Sequence, residues 1–255
     1  MHGQIATVAR YVLIEARRSP LPWLAMASLL VALGLAGFLS RLAITEATAL
    51  QASACAALLR ACAVFLVAAH VVASVVRETN DKGLELALAL PLSRPAWYLG
   101  RLLGFAATGA LIATLFALPL FAWAKPLDLV SWWLALAAEA AVVAAAALFF
   151  ASALGQTVTA MTATLGLYLL ARAISTIQAI AGGSLADEGA AGQASRWLVN
   201  GLALLLPNLD ELARGDWLLY GAPPAAVLAR ALGGLAIYFV LLAAAGLFDF
   251  SRKNL

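Results

Sequence analysis

Ala140–Ala171 is 32 consecutive residues without a charge. As one helix, at about 1.5 Å per residue, that run would be about 48 Å long. The hydrocarbon core of a bilayer is only about 30 Å thick. The run therefore needs a break, and Gly155-Gln156-Thr157 is its polar interruption. Backbone amides have no water partner in lipid, so both halves are expected to be helices. The rest of the chain has the same character. It is 64% hydrophobic and only 11% charged, with a mean hydropathy of +0.96, whereas soluble domains are about 25% charged. No soluble fold hides that much apolar surface. With no Lys/Arg-rich run, a net charge of +3 reports topology, and no nucleic-acid partner is expected.

The pattern predicts six spans: Leu21–Leu39, Ala54–Val76, Leu102–Ala124, Val130–Leu154, Val158–Ala181 and Ala225–Phe248. Each is near the roughly 20 residues that cross the hydrocarbon as a helix. The first is expected to stay in the chain. Its apolar run exceeds the usual core of about 7–15 residues in a cleaved signal, and no A-x-A site follows it. Arg10, Arg17 and Arg18 precede it and predict a cytoplasmic N-terminus. On that orientation the cytoplasmic segments carry nine Lys/Arg: Arg10, Arg17, Arg18, Arg77, Lys82, Arg94, Arg101, Arg252 and Lys253. The outer loops carry four: Arg41, Lys125, Arg196 and Arg214. Both termini are then cytoplasmic.

Residues 1–20 read as an amphipathic helix on the inner membrane surface, with Ile5, Val8, Val12 and Leu13 near one face, before Pro20 and Pro22 turn the chain. Residues 182–224 are long for a loop. Trp197–Leu206 is apolar but too short to span, Pro207-Asn208 ends it, and Trp217 and Tyr220 suit the headgroup level. This predicts short re-entrant or interfacial helices, which lipid tolerates when protein covers them.

Ionisable residues inside spans are expensive and invite a functional reading. Arg60, Glu139 and Arg172 fall in the outer halves of their spans. They are candidates either for helix-holding pairs, Glu139 with Arg60 or Arg172, or for the lining of a pathway. His70, in the inner half of the second span, is a further polar candidate and reads first as a packing residue. Cys55 and Cys62 stand about 10 Å apart along one helix, too far for a disulfide with each other. No Ser-His-Asp, paired-carboxylate or HExxH pattern is present, so no catalytic residue and no metal ligand is expected. Gly100-x-x-x-Gly104 opens the third span and lets a helix approach closely, within one subunit or at a dimer seam.

The remaining feature is a charged island, RETNDKGLELALALPLSRPAWYLGR, over residues 77–101. Arg77-Glu78, Lys82-Gly83-Leu84-Glu85, Leu90-Pro91-Leu92-Ser93-Arg94 and Leu99-Gly100-Arg101 resemble the segment after the second span of ABC-2 type permeases, the membrane subunits of ATP-binding-cassette exporters. That family typically reads E-x-x-x-G-T-L-E-x-L-L-x-x-P-x-S-R. Here Leu84 follows Gly83 directly, without the intervening small residue. The order of elements is similar along nearly the whole chain, while the motif covers about 25 residues.

The resemblance implies an all-α polytopic membrane protein with six transmembrane helices, an N-terminal amphipathic interfacial helix, a cytoplasmic coupling helix between spans 2 and 3, and short outer re-entrant helices between spans 5 and 6. It also implies a second permease copy, as homodimer or related heterodimer, and a separate ATPase subunit in a bacterial inner membrane. Residues 77–98 would dock on that ATPase. Leu84, Ala87 and Leu88 would offer an apolar face, and Pro91 would end the helix. Glu78, Asp81, Lys82 and Glu85 would give charge complementarity, and Arg77, Gly83 and Arg94 would complete the coupling residues. The chain contains no G-x-x-x-x-G-K-[ST] phosphate loop. ATP and Mg are therefore expected on the partner, and no cofactor on this chain. The competing expectation is a non-transporting sensor, or an assembly factor for a cytochrome or copper enzyme.

Overall fold

A computed structural model describes residues 2–42, 47–81, 93–182, 190–210, 212 and 215–252. Among these there is no strand. Six helices are long and apolar enough to cross a membrane, so the chain is an all-α, multi-pass membrane protein.

Helix α1 (His2–Arg18) ends at the Ser19-Pro20 corner. The Ser19 hydroxyl donates to the Ala16 carbonyl at 2.7 Å and accepts from the Leu21 amide at 3.2 Å, which stitches the corner. Helices α2 (Leu21–Leu42) and α3 (Ala47–Asn80) follow. Helix α4 (Arg94–Ala117) begins with proline in its first turn, where the missing amide does no harm. It tightens into a 3-10 turn over Leu118–Ala122 at Pro119. Helix α5 (Pro126–Leu154) stops at Gly155, whose φ of 66° is left-handed and whose amide donates to the Ala151 carbonyl at 3.1 Å. Glycine takes that conformation without steric penalty, so the break expected from sequence stands at Gly155. Helix α6 (Thr157–Gly182) returns antiparallel to α5. Helix α7 (Ala190–Leu205), the single turn α8 (Trp217–Tyr220) and helix α9 (Ala225–Arg252) complete the chain.

Helix α5 is the centre. It packs against α3, α4, α6 and α9, and Ala144, Ala145 and Ala147 along it are fully buried. Small residues permit this, because van der Waals contact at close range replaces a hydrophobic driving force in lipid. At Gly109 on α4 an added Cβ would lie 3.0 Å from the Ala140 Cβ. The outer helices contrast with it. The most apolar window of α5 is 67% buried, against 17% for α2 and 11% for α9.

Several boundaries differ from expectation. The second and third spans run to Asn80 and from Arg94 rather than ending at Val76 and starting at Leu102. A charged residue ends an apolar run on paper, but a helix continues through it when a partner meets the charge, as happens at Arg77 and Arg101 below. The Gly100/Gly104 pair packs within this subunit, against α1. A Cβ at Gly100 would lie 2.6 Å from the Val8 Cβ, and one at Gly104 would lie 2.6 Å from the Val12 Cβ. The apolar face of α1 thus meets α4. Between α6 and α9 the described residues include a 16-residue helix, α7, resting on α6, and the short turn α8 resting on α5 and α3. Of the proposed coupling residues, Lys82, Gly83, Leu84, Glu85, Leu88 and Pro91 lie outside the described residues.

Candidate functional site

Two charge clusters stand at different depths of the bundle, one at an end and one near the middle. The first joins α1, α3 and α4 where the 82–92 segment leaves and re-enters. Arg101 on α4 is 2% exposed, buried among helices that supply its counter-charges. It forms ion pairs with Glu78 of α3 and with Glu15 of α1, the latter at 3.7 Å. It also donates to the Ser74 hydroxyl at 2.8 Å. Ser74 in turn donates to the Glu15 carboxylate at 2.8 Å, and Arg77 donates to the same oxygen at 2.7 Å. The Arg101 guanidinium also stands 5.1 Å from the Trp97 ring centroid and 5.4 Å from that of Phe105, at the range of cation–π attraction.

Helix geometry brings these groups together. Val8, Val12 and Glu15 are spaced four and three apart, so they share one face of α1. Once the valines seat on Gly100 and Gly104, Glu15 reaches α3 and α4. The sequence reading missed Glu15. It is the only acid among the first 45 residues and shares a face with the valines, which was the available signal. His70, one turn before Ser74, packs edge-on to Phe105 with ring centroids 5.8 Å apart. It belongs to this end and not to the Arg60 group. Asp81 is exposed beyond the end of α3. Arg94 opens α4 and donates to the Ser251 carbonyl of α9 at 3.4 Å. Next to it, Trp97 stacks on Phe250 of α9 at 5.0 Å.

The second cluster holds the other candidates. Glu139 on α5 is fully buried. Its carboxylate accepts from Tyr168 at 2.8 Å and pairs with Arg172 at 3.3 Å, both on α6. Arg172 also donates to the Leu209 carbonyl at 2.8 Å and to that of Leu212 at 3.4 Å. Ser175, one turn on, donates to Asp210. Arg60 of α3 is within electrostatic reach of Glu139, Arg172 and Asp210. The structure thus brings Arg60, Glu139 and Arg172 together and pairs Glu139 with Arg172. It adds Tyr168, Ser175 and Asp210. In chemical terms the cluster is an anchor. It pins the non-helical segment after α7 to the centre of the bundle by satisfying carbonyls that lipid would leave bare.

Among the described residues no group of three His, Cys, Asp or Glu side chains is placed to hold a metal ion. Cys55 and Cys62 are both free thiols. No family model matches the chain. Nor does any curated protein match its sequence.

Proposed function

We propose that this chain is the permease subunit of an ABC-2 type exporter, driven by a separate ATP-binding-cassette ATPase and working as a pair of permeases in a bacterial inner membrane. Both termini face the cytoplasm on this reading, and ATP and Mg bind the partner. The observation that supports it most is the Glu15–Arg101–Glu78 knot. A segment moved by a partner does mechanical work on a bundle only if the helices at its two ends move together. Residues 82–92 join α3, four residues after Glu78, to α4, where Arg101 lies two turns inside, and Arg101 is ion-paired both to Glu78 and to Glu15 of α1. A push on the segment would then displace α1, α3 and α4 as one body, the rigid-body rocking that drives alternating conformations.

The test is capture of the ATPase. The full chain, purified in detergent from its native membrane, should carry an ATP-binding-cassette ATPase whose hydrolysis it stimulates. Leu84→Asp and Leu88→Asp should each lose that capture, because a carboxylate replaces an apolar docking contact. A chain that carries no ATPase, or one whose capture and stimulation survive both substitutions, overturns the reading and leaves a sensor or assembly role.

A further inference from the structure

Helices α1, α2 and α3 enclose a cavity of about 260 Å³ beside the charge knot. Along α3 its lining changes character in order. Phe65, Leu66 and Ala69 are apolar, and beyond them His70, Ser74 and Arg77 are polar, with Ala73 among them. From Phe65 to Arg77 the helix rises about 18 Å, roughly one leaflet of a bilayer whose hydrocarbon core is about 30 Å thick. Leu24 of α2 faces the apolar end, and Glu15 of α1 lies at the polar end. A second cavity of about 230 Å³ shares Glu15, Ser19 and Arg77 and extends to Tyr11 and Arg18. An amphiphile with a chain at one end and a polar head at the other matches this gradient.

The charges choose the kind of head. The charged residues lining the two cavities are Arg18 and Arg77 against Glu15, a surplus of one positive charge. Arg101 is buried and neutralised between Glu15 and Glu78. Arg77 is 64% exposed while holding Glu15, and Arg18 is exposed. Both guanidiniums present donors in a fork that matches phosphate. His70 lines the same cavity, and its Nε2 atom is buried with no hydrogen-bond partner. A buried polar atom left bare is costly, and an ester carbonyl or glycerol hydroxyl at that depth would satisfy it.

We propose that this site holds one anionic diacyl phospholipid from the leaflet on the Arg77 side. Its phosphate lies on Arg18 and Arg77, its glycerol ester region near His70, and one acyl chain along Leu24, Phe65, Leu66 and Ala69. The lipid completes the seam between α2 and the α1–α3 pair, and the proposal is independent of any ATPase.

The full chain, delipidated in detergent, is titrated with dioleoylphosphatidylglycerol, dioleoylphosphatidylcholine or glycerol 3-phosphate, and bound molecules are counted by native mass spectrometry. The anionic lipid should bind at least about fivefold more tightly than the zwitterionic one, the increment expected for a basic side chain at an anionic headgroup. Arg18→Gln, at an exposed position that leaves the fold intact, should erase about fivefold of the anionic affinity and weaken phosphatidylcholine less, because its choline cation offsets the phosphate charge. Ala69→Phe, which fills the apolar end, should weaken both lipids. Equal binding of the two lipids by the native chain overturns the proposal, as does anionic binding indifferent to both substitutions. Glycerol 3-phosphate binding as tightly as the lipid would mean a free phosphate site and would also overturn it.

Discussion

Glu139 and Arg172 are the two charges that bracket the 32-residue uncharged run, and they meet. The hairpin dictates it. Glu139 is sixteen residues before Gly155 and Arg172 seventeen after it, so two antiparallel helices of equal rise put both at one depth. A buried charge keeps its helix only while its partner remains. Removing one member of such a pair typically costs about 3–5 kcal/mol, because the other is left uncompensated. Arg172→Ala should therefore lower the thermal midpoint and free the Leu209 and Leu212 carbonyls. Hydrogen exchange should rise in residues 206–212 and stay unchanged in α4. Glu139→Gln should also lower the midpoint, because its amide oxygen still accepts from Tyr168 but the Arg172 charge loses its carboxylate. Exchange in 206–212 that is the same in the Arg172→Ala protein would refute the anchor. The three candidates Arg60, Glu139 and Arg172 were legible as isolated charges in apolar runs, and the Glu139–Arg172 pairing was legible from their symmetry about the break. Tyr168 and Ser175 were not, since a tyrosine or a serine in a span carries no mark of what it bonds to.

Helices α1 and α4 interlock through absent side chains. At Gly104 an added Cβ would meet the Val12 Cβ at 2.6 Å and the Ala9 carbonyl oxygen at 3.0 Å, and the second of these is backbone that cannot rotate away. Gly104→Val should push α1 off α4 and cost about 1–3 kcal/mol, the usual range for overpacking. Val12→Ala in the same chain should restore only part of it, because it removes the Cγ1 contact while the Cβ and carbonyl contacts persist. Gly34→Ala on α2, where nothing lies within 4 Å, should be neutral or stabilising by about 0.5–1 kcal/mol. Thermal melts of the three proteins in one detergent decide it, and equal midpoints for Gly104→Val and Gly34→Ala would sink the interlock. The existence and order of the long helices were legible because length and hydropathy alone specify a span. Their ends were not, because Arg77 and Arg101 extend helices that a hydropathy rule stops. The role of α1 was only half legible. Its apolar face shows in the sequence, but whether lipid or protein covers that face depends on glycines nearly a hundred residues away.

Over the whole molecule, burial runs from the centre outward, from α5 to α2 and α9, while one charged cross-tie sits at an end of the bundle and the other near mid-depth. The cross-ties fix which helices move together. Such a layout gives two separable ways to disable the proposed machine. Leu84→Asp acts on the docking segment and should remove the ATPase altogether. Glu15→Gln and Arg101→Lys act inside the knot while keeping hydrogen-bonding groups at both positions, so the bundle should stay folded. Lysine lacks the planar fork that lets Arg101 serve Glu15, Glu78 and Ser74 at once. These two proteins should co-purify with the ATPase as the native chain does, yet stimulate its hydrolysis several-fold less, because the stroke reaches α3 and α4 without moving them as a unit. Co-purification and stimulated hydrolysis are measured on the same preparations. If Glu15→Gln and Arg101→Lys lose the ATPase as Leu84→Asp does, the knot belongs to the docking surface. If they stimulate hydrolysis at the native level, the helices flanking the segment do not need to move together, and the knot is a folding device alone.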